Sequence, residues 1–115
     1  EQNYIKDAGV VALARALETN ETLQFLNLGT NKVGSEGARA VAAMLKVNET
    51  LKNISLRGNE ITSDEAVILA EALEENPSLQ KLDLDFNDIG NNPAILKISN
   101  ILKKKSGFQY HVGYS

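Results

Sequence analysis

The stretch Leu51-Lys-Asn-Ile-Ser-Leu-Arg-Gly-Asn59 decides the fold, because close copies of its apolar pattern flank it on both sides. One copy, Leu23-Gln-Phe-Leu-Asn-Leu-Gly-Thr-Asn31, begins 28 residues earlier, and another, Leu79-Gln-Lys-Leu-Asp-Leu-Asp-Phe-Asn87, begins 28 residues later. Each has an aliphatic residue at its first, fourth and sixth positions and an asparagine at its ninth. A period of this length is typical of a solenoid of stacked strand-plus-helix units.

Each repeat reads as a short strand followed by a helix. The aliphatic residues of the strand turn inward while the residues between them face the other side. Apolar residues at helical spacing follow. They predict four helices, at about residues 7–19, 35–47, 63–75 and 93–105. Ser35 and Ser63 suit the N-cap position of their helices, and Pro93, after Asn92, suits a first helical position.

This pattern is the signature of a leucine-rich repeat and predicts the α/β class. We expect a right-handed superhelical solenoid with short parallel strands on its concave face and helices on its convex face. Residues 1–115 would form a single domain that is truncated at its N-terminus, because the strand that should precede Asn3 is missing and upstream repeats or a cap are expected. Its units are a partial repeat at 1–22, repeats at 23–50, 51–78 and 79–106, and a terminal capping strand at 107–115.

The terminal strand departs from the consensus. Phe108, Tyr110 and Val112 alternate with polar residues, and Tyr110 and Val112 lie 28 residues after Leu82 and Leu84. The aromatic side chains are expected to fill the space that a further repeat would otherwise occupy, as an atypical capping repeat does.

Three asparagines at the repeat period, Asn31, Asn59 and Asn87, stand where the chain leaves each strand. A side-chain amide can donate to and accept from backbone groups that the turn leaves unpaired. We therefore expect a buried, structural asparagine ladder. The alternative is that these side chains bind a ligand.

Composition limits the classes of function. The chain has 115 residues, 43% of them hydrophobic, a formal charge of −3 and no cysteine. No apolar run approaches the length of a membrane span, and no signal peptide is recognisable. We expect a soluble cytoplasmic protein that has neither nucleic acid nor membrane as a partner.

The outward-facing strand positions form one predicted concave surface, which is polar and of mixed charge. Such a face suits an extended macromolecular partner better than a small molecule. We therefore expect a protein-binding module that is not an enzyme and takes no cofactor. The predicted partner-binding residues are Phe25, Asn27, Asn53, Ser55, Arg57, Lys81, Asp83, Asp85, Gln109 and His111, with Gly29 and Gly113 on the same face.

The charged residues of this face have structural explanations. Because adjacent strands lie about 4.8 Å apart, Arg57 and Asp85 are expected to form a lateral ion pair, and His111 a hydrogen bond with Asp83. Ser55 lies on the far side of Asp83 from the histidine, so no catalytic triad is expected. Two aspartates flanked by cations lack the oxygen ligands that Ca²⁺ requires, so no metal is predicted.

Two features allow two interpretations each. Phe25 is either an interface anchor on the polar face or a residue that packs against an upstream strand. The run Lys103-Lys104-Lys105 either favours an acidic partner or stabilises a helix C-terminus; the second interpretation is the simpler.

The 28-residue unit, with its Ala-rich helix ending in Asn-x-Thr or Asn-x-Ser, resembles the ribonuclease-inhibitor class of leucine-rich repeats. Within that class the chain is most similar to the C-terminal domain of tropomodulins. The similarity is carried by Ala43–Lys52, Ile89–Asn92, Ile98–Lys103, and the aromatic strand Phe108–Tyr110 followed by His111. The resemblance implies capping of actin filament pointed ends and a cytoskeletal location. Tropomyosin would bind through upstream segments that are absent here.

Repeats of the same class also occur in the sensor ends of NOD-like receptors and in Ran GTPase-activating proteins. The alternative hypothesis is therefore a recognition or regulatory solenoid of one of these kinds. The repeat consensus does not separate it from an actin-binding module.

Overall fold

Four helices alternate with four three-residue strands in the computed structural model, which describes residues 5–90, 93–105 and 107–112. The helices are α1 (Lys6–Leu17), α2 (Ser35–Val47), α3 (Ser63–Glu74) and α4 (Pro93–Leu102). The strands are β1 (Phe25–Asn27), β2 (Asn53–Ser55), β3 (Lys81–Asp83) and β4 (Gln109–His111). The predicted alternation and helix positions are confirmed, with helix ends that differ by at most three residues.

All four strands are parallel and are ordered along the sheet as they are along the chain. Phe25 pairs with Asn53, Asn53 with Lys81, and Lys81 with Gln109, so each step across the sheet is one sequence period. The helices lie side by side, each against the next. The predicted α/β leucine-rich repeat architecture is therefore confirmed.

The core lies between the strands and the helices. Leu28, Leu56 and Leu84, at equivalent positions after the three repeated strands, are almost fully buried. Burying each leucine contributes about 1.5–3 kcal/mol. The helices contribute small residues at the same period, Ala14, Ala42 and Ala70, which are also buried and let neighbouring helices approach closely.

The predicted fourth strand, β4, is present at the edge of the described sheet beside β3. Tyr110 is in register with Leu82, and its ring stacks on that of Phe108 with 6.4 Å between the ring centroids. Both aromatic side chains are half-buried and pack against the core, together with Val112. They cover the end of the sheet beside α4.

The predicted N-caps of α2 and α3 are wrong by one position. Ser35 and Ser63 are the first residues of their helices, and Gly34 and Thr62 precede them as the caps. Thr62 donates from both its backbone N–H and its hydroxyl to the Glu65 carboxylate. The start of α3 therefore obtains these hydrogen-bond partners from the helix and its own cap residue.

Two other helix starts bear on the predictions. The N–H of Gly34 donates to Oδ1 of Asp7 in α1, 2.7 Å away, so the neighbouring helix provides the partner of this cap residue. Pro93 is the first residue of α4 as predicted. Asn92, which precedes it in the sequence, lies outside the described residues.

The asparagine ladder is confirmed at Asn59. Its Nδ2 donates to the carbonyl oxygens of Leu28 and Leu56, each 2.9 Å away. Its Oδ1 accepts from the N–H groups of Asn31 (2.9 Å) and Val33 (2.8 Å). One buried side chain thus holds the turns of two successive coils together.

The other two members of the ladder differ in burial. Asn87 is buried and repeats the pattern, donating to the carbonyl oxygen of Leu56 and accepting from the N–H of Ile61. Asn31 is only half-buried, because no described strand lies beyond it; its Oδ1 accepts from the N–H of Ile5 at 3.2 Å. The expectation of complete burial is wrong for Asn31.

A second asparagine ladder, which the sequence analysis did not predict, runs through Asn20, Asn48 and Asn76. Asn48 donates from Nδ2 to the carbonyl oxygens of Leu17 (2.8 Å) and Asn20 (3.2 Å). Asn76 repeats this one coil later, donating to Leu45 (2.7 Å) and Asn48 (3.0 Å). The signal was available, since the three asparagines are also spaced by the repeat period.

The turns after the strands require left-handed backbone at one repeated position. Thr30, Gly58 and Phe86 have φ values of 56°, 73° and 62°. Only glycine adopts this conformation without steric cost. The two side-chain-bearing residues therefore hold an unfavourable backbone conformation that the surrounding hydrogen bonds impose.

The longest described helix, α2, has 13 residues, which is well below the roughly 20 apolar residues that a membrane crossing requires.

Candidate functional site

The sheet brings the predicted surface residues together on one face, in rows that follow the strands. Side chains at the middle of each strand, such as Ile54 and Leu82, point into the core. The residues on either side of them point outward, as strand geometry requires. The rows are Phe25 and Asn27, then Asn53, Ser55 and Arg57, then Lys81, Asp83 and Asp85, then Gln109 and His111. Gly113 lies outside the described residues.

The last residue of each of the first three strands is fixed by a local hydrogen bond. Its side-chain oxygen accepts from the backbone N–H two residues later, the geometry of an Asx-type turn. The pairs are Asn27 with Gly29 (2.9 Å), Ser55 with Arg57 (3.4 Å) and Asp83 with Asp85 (3.0 Å). The turn conformation therefore sets the direction of these side chains before any partner binds.

Arg57 is held in the middle of the face by three neighbours. Its Nη1 lies 3.6 Å from Oδ2 of Asp83 and 3.8 Å from Oδ2 of Asp85, and its Cζ lies 4.6 Å from the centre of the Phe86 ring. The predicted pair with Asp85 is confirmed, and Asp83 is an additional partner. Exposed ion pairs contribute little to stability, so the main effect of this cluster is to orient a half-exposed guanidinium.

Phe86 is the surface residue that the sequence analysis missed. Half of its side chain is exposed, and its ring supports Arg57 from the turn after β3. The residue lies outside the alternating strand positions, so the strand pattern does not reveal it. An aromatic residue at a repeat position that is elsewhere a glycine or a threonine was the available signal.

The predicted hydrogen bond between His111 and Asp83 is wrong. The two residues are neighbours across β3 and β4, but in the described part of the chain no bond joins their side chains. The Asp83 carboxylate is already engaged by the N–H of Asp85 and by Arg57. The histidine therefore lies exposed at the end of the face.

A shallow depression lies in the first half of the face. Its volume is about 250 Å³, and Phe25, Asn53, Ser55, Lys81 and Asp83 contribute to its lining. Pockets for small molecules are typically 300–1,000 Å³ and largely enclosed. Phe25, with 63% of its surface exposed, forms one wall. This space is suited to a side chain projecting from another macromolecule.

Metal-binding chemistry has no support among residues 5–90, 93–105 and 107–112. Nowhere in these ranges do three histidine or carboxylate side chains come together as a set of metal ligands. Asp83 and Asp85 face a guanidinium instead.

Comparison with known proteins agrees with this geometry. Residues 19–42 and 75–92 match the family described as Leucine Rich repeat. These segments include the first and third strands of the sheet. The fold is that of a leucine-rich repeat protein. No curated protein matches this leucine-rich repeat chain by sequence.

Among solved structures, the leucine-rich repeat domain is similar to "Leiomodin-1 Actin-Binding Site 2 (ABS2)". The TM-score is 0.84 at 24% sequence identity, and the match covers 98% of this chain and 69% of the other. The predicted leucine-rich repeat fold is therefore confirmed over nearly the whole chain.

Proposed function

We propose that this leucine-rich repeat domain is a non-enzymatic protein-interaction module that binds actin through its concave face. The observation that carries the actin assignment is the likeness of the fold, over 98% of the chain, to a domain described as an actin-binding site. The assignment to the concave face rests on the side chains that this face presents.

Three features of the face support a protein partner. It is open, so a folded partner can reach every row. It offers an exposed aromatic residue, Phe25, and a pre-oriented arginine, Arg57, which are the residue types that most often anchor interfaces. Lys81 and the two aspartates then provide charges of both signs, which give specificity and register more than affinity.

A finer proposal is capping of the pointed end of actin filaments, which is supported by the sequence resemblance to tropomodulins and by the fold match to an actin-binding site. In this case the protein would act at the cytoskeleton. Tropomyosin would bind through segments outside this chain.

Affinity for monomeric actin tests the surface. We compare Phe25→Ala, Arg57→Glu and Asp85→Lys with matched changes on exposed parts of the helices, Leu96→Ala, Arg15→Glu and Glu71→Lys. Each concave variant should raise the Kd by roughly ten-fold or more, about 1.4 kcal/mol, because it removes an anchor or reverses a charge in the contact. The helix variants should stay within roughly two-fold.

The outcomes separate the two parts of the proposal. Equal losses in the helix variants would place the contact on the convex side. No measurable binding of the unchanged chain to actin would contradict the actin assignment. Pointed-end capping is tested by the depolymerisation of pyrene-labelled filaments whose barbed ends are blocked. Capping predicts slower depolymerisation, and an unchanged rate at saturating protein would contradict it.

A further inference from the structure

The depression on the concave face is lined by side-chain oxygens that the chain itself already uses. Oδ1 of Asn27, Oγ of Ser55 and Oδ1 of Asp83 each accept from the backbone N–H two residues later, at 2.9, 3.4 and 3.0 Å. Oδ2 of Asp83 lies 3.6 Å from Nη1 of Arg57. All three oxygen-bearing residues line the depression. Their acceptor oxygens are therefore engaged before a partner arrives.

The side-chain amides of the same depression provide donors. A backbone N–H can bond only to the oxygen of an amide, so the bond from Gly29 fixes the orientation of the Asn27 side chain and directs its Nδ2 elsewhere. Within the part of the chain that the structure describes, neither this Nδ2 nor the side-chain amide of Asn53 donates to an acceptor. Two amide groups are therefore available to an acceptor from outside.

Lys81 gives the depression a positive charge, and no ion pair with it occurs among the described residues. Its side chain is half-buried, and its neighbours across the sheet, Asn53 and Gln109, are uncharged. Asp83 lies two positions along the same strand, but its carboxylate pairs with Arg57. A partly buried charge without a counter-ion is unfavourable. A carboxylate brought by a partner would relieve this cost through charge-assisted hydrogen bonds.

We propose that this depression binds the side-chain carboxylate of an aspartate or glutamate of the partner protein. The assignment rests on the proposed function of the concave face and names the chemical group that the face recognises there. The bound carboxylate accepts from the Lys81 ammonium and from the amides of Asn27 and Asn53. The exposed ring of Phe25, which forms one wall, covers the methylene groups of the acidic side chain.

Other occupants fit the depression less well. A lysine or arginine side chain would place its charge against Lys81 and would compete with Arg57 for the Asp83 carboxylate. A C-terminal carboxylate has the right chemistry but brings only a chain end. The depression lies beside the exposed Arg57 on one open face, so a side chain that projects from a continuous surface lets the partner contact both.

Two substitutions change the charge and the donors while keeping the shape. Lys81→Met keeps the length of the side chain but removes the ammonium group. Asn27→Asp keeps the oxygen that accepts from Gly29 but replaces the Nδ2 donor with a second acceptor. The matched controls are Lys97→Met and Asn100→Asp, at exposed positions of α4.

An NMR titration of the isotope-labelled chain tests the site without actin. The probes are pentapeptides of the form acetyl-Gly-Gly-X-Gly-Gly-amide, in which X is glutamate, glutamine or lysine. The side-chain amide signals of Asn27 and Asn53 should shift with the glutamate peptide, whose Kd should be at least roughly five-fold below that of the glutamine peptide. Lys81→Met and Asn27→Asp should remove this preference, and the two controls should keep it.

Three results of the titration would overturn the proposal. Equal affinity for the glutamate and glutamine peptides would show that the charge is not recognised. Tighter binding of the lysine peptide would assign the depression to a basic side chain. Larger shifts with acetylated pentaglycine that has a free C-terminal carboxylate would assign it to a chain end instead of a side chain.

Binding to monomeric actin separates this proposal from the proposed function. Lys81→Met should raise the Kd for actin by roughly ten-fold, and Lys97→Met should leave it within about two-fold. If the unchanged chain does not bind actin but prefers the glutamate peptide, the actin assignment fails and the carboxylate site stands. If the chain binds actin and Lys81→Met has the same Kd, the carboxylate contact is wrong and the actin assignment stands.

Discussion

The ammonium nitrogen of Lys105 lies 2.9 Å from the backbone carbonyl oxygen of Asn76. In the preceding coils an asparagine amide meets the equivalent carbonyl, as when Asn76 donates to Asn48. The last coil has Lys104 at the periodic position, and the longer side chain of the next residue reaches the carbonyl instead. Lys105 is therefore half-buried and structural, while Lys103 and Lys104 are exposed just beyond the end of α4.

Replacing Lys105 tests whether its ammonium group stabilises the last coil as the asparagine amides stabilise the preceding ones. Lys105→Met keeps the length of the side chain but removes the donor, so the carbonyl of Asn76 loses its partner. We expect the free energy of unfolding to fall by about 1 kcal/mol. Lys103→Met, at an exposed position, should change it by less than about 0.5 kcal/mol. Urea melts of both variants make the comparison, and equal effects would show that the contact contributes nothing specific.

Replacing a member of the ladder formed by Asn31, Asn59 and Asn87 should lower the free energy of unfolding in proportion to the hydrogen bonds that its side chain makes. Asn59→Ala leaves buried backbone groups of two coils unpaired and should cost about 1–3 kcal/mol. Asn31→Ala, at the half-buried end, should cost less because water can reach the same groups. Chemical denaturation gives both values. A cost for Asn31 equal to or above that for Asn59 would contradict the burial argument.

Glu65 makes stability depend on pH. Burial alone would raise the pKa of this carboxyl, but hydrogen bonds from the side chain and backbone of Thr62 and from Ser35, and the charge of Arg39, outweigh it, so the pKa lies below its ordinary value. The unfolded chain then binds the proton more tightly than the folded chain does. The stabilisation is complete above the ordinary glutamate pKa of about 4.3 and is lost as pH falls through the folded value.

Glu65→Gln tests this pH dependence of stability. Urea midpoints recorded from neutral pH down to acid should fall less steeply for Glu65→Gln than for the unchanged chain, because the variant has no proton to gain at this position. Glu71→Gln, on the exposed face of α3, is the matched control and should keep the original slope. An identical slope for both variants would contradict the assigned role of Glu65.

The left-handed turn position gives a prediction about the backbone. Gly58 has a φ of 73°, and an added Cβ would lie 3.1 Å from Oγ1 of Thr30. Gly58→Ala should therefore lower the free energy of unfolding by about 1–2 kcal/mol. The reverse change at the equivalent position, Thr30→Gly, should not destabilise by a similar amount, since it relieves the same conformation. Thermal melts of the two variants test this difference in magnitude, and an equal loss of stability in both would contradict the backbone argument.

The sequence predicts the fold almost completely, because the repeat period determines which residues are neighbours. Strand order, register and the buried leucines all follow from it. What it missed depends on distances between side chains. The Asp83 carboxylate has several possible partners. The repeat pattern could not show that it forms an ion pair with Arg57 and makes no hydrogen bond with His111. The stacking of Phe86 under Arg57 likewise depends on a turn conformation that alternation does not encode.

The account's central claim is that a protein partner binds the concave face. Cross-saturation NMR of the isotope-labelled chain bound to monomeric actin measures this residue by residue. We predict that the amide signals of β2 and β3, from Asn53 to Arg57 and from Lys81 to Asp85, lose intensity while those on the outer faces of α2 and α3 do not. Intensity loss confined to the helices would contradict the claim.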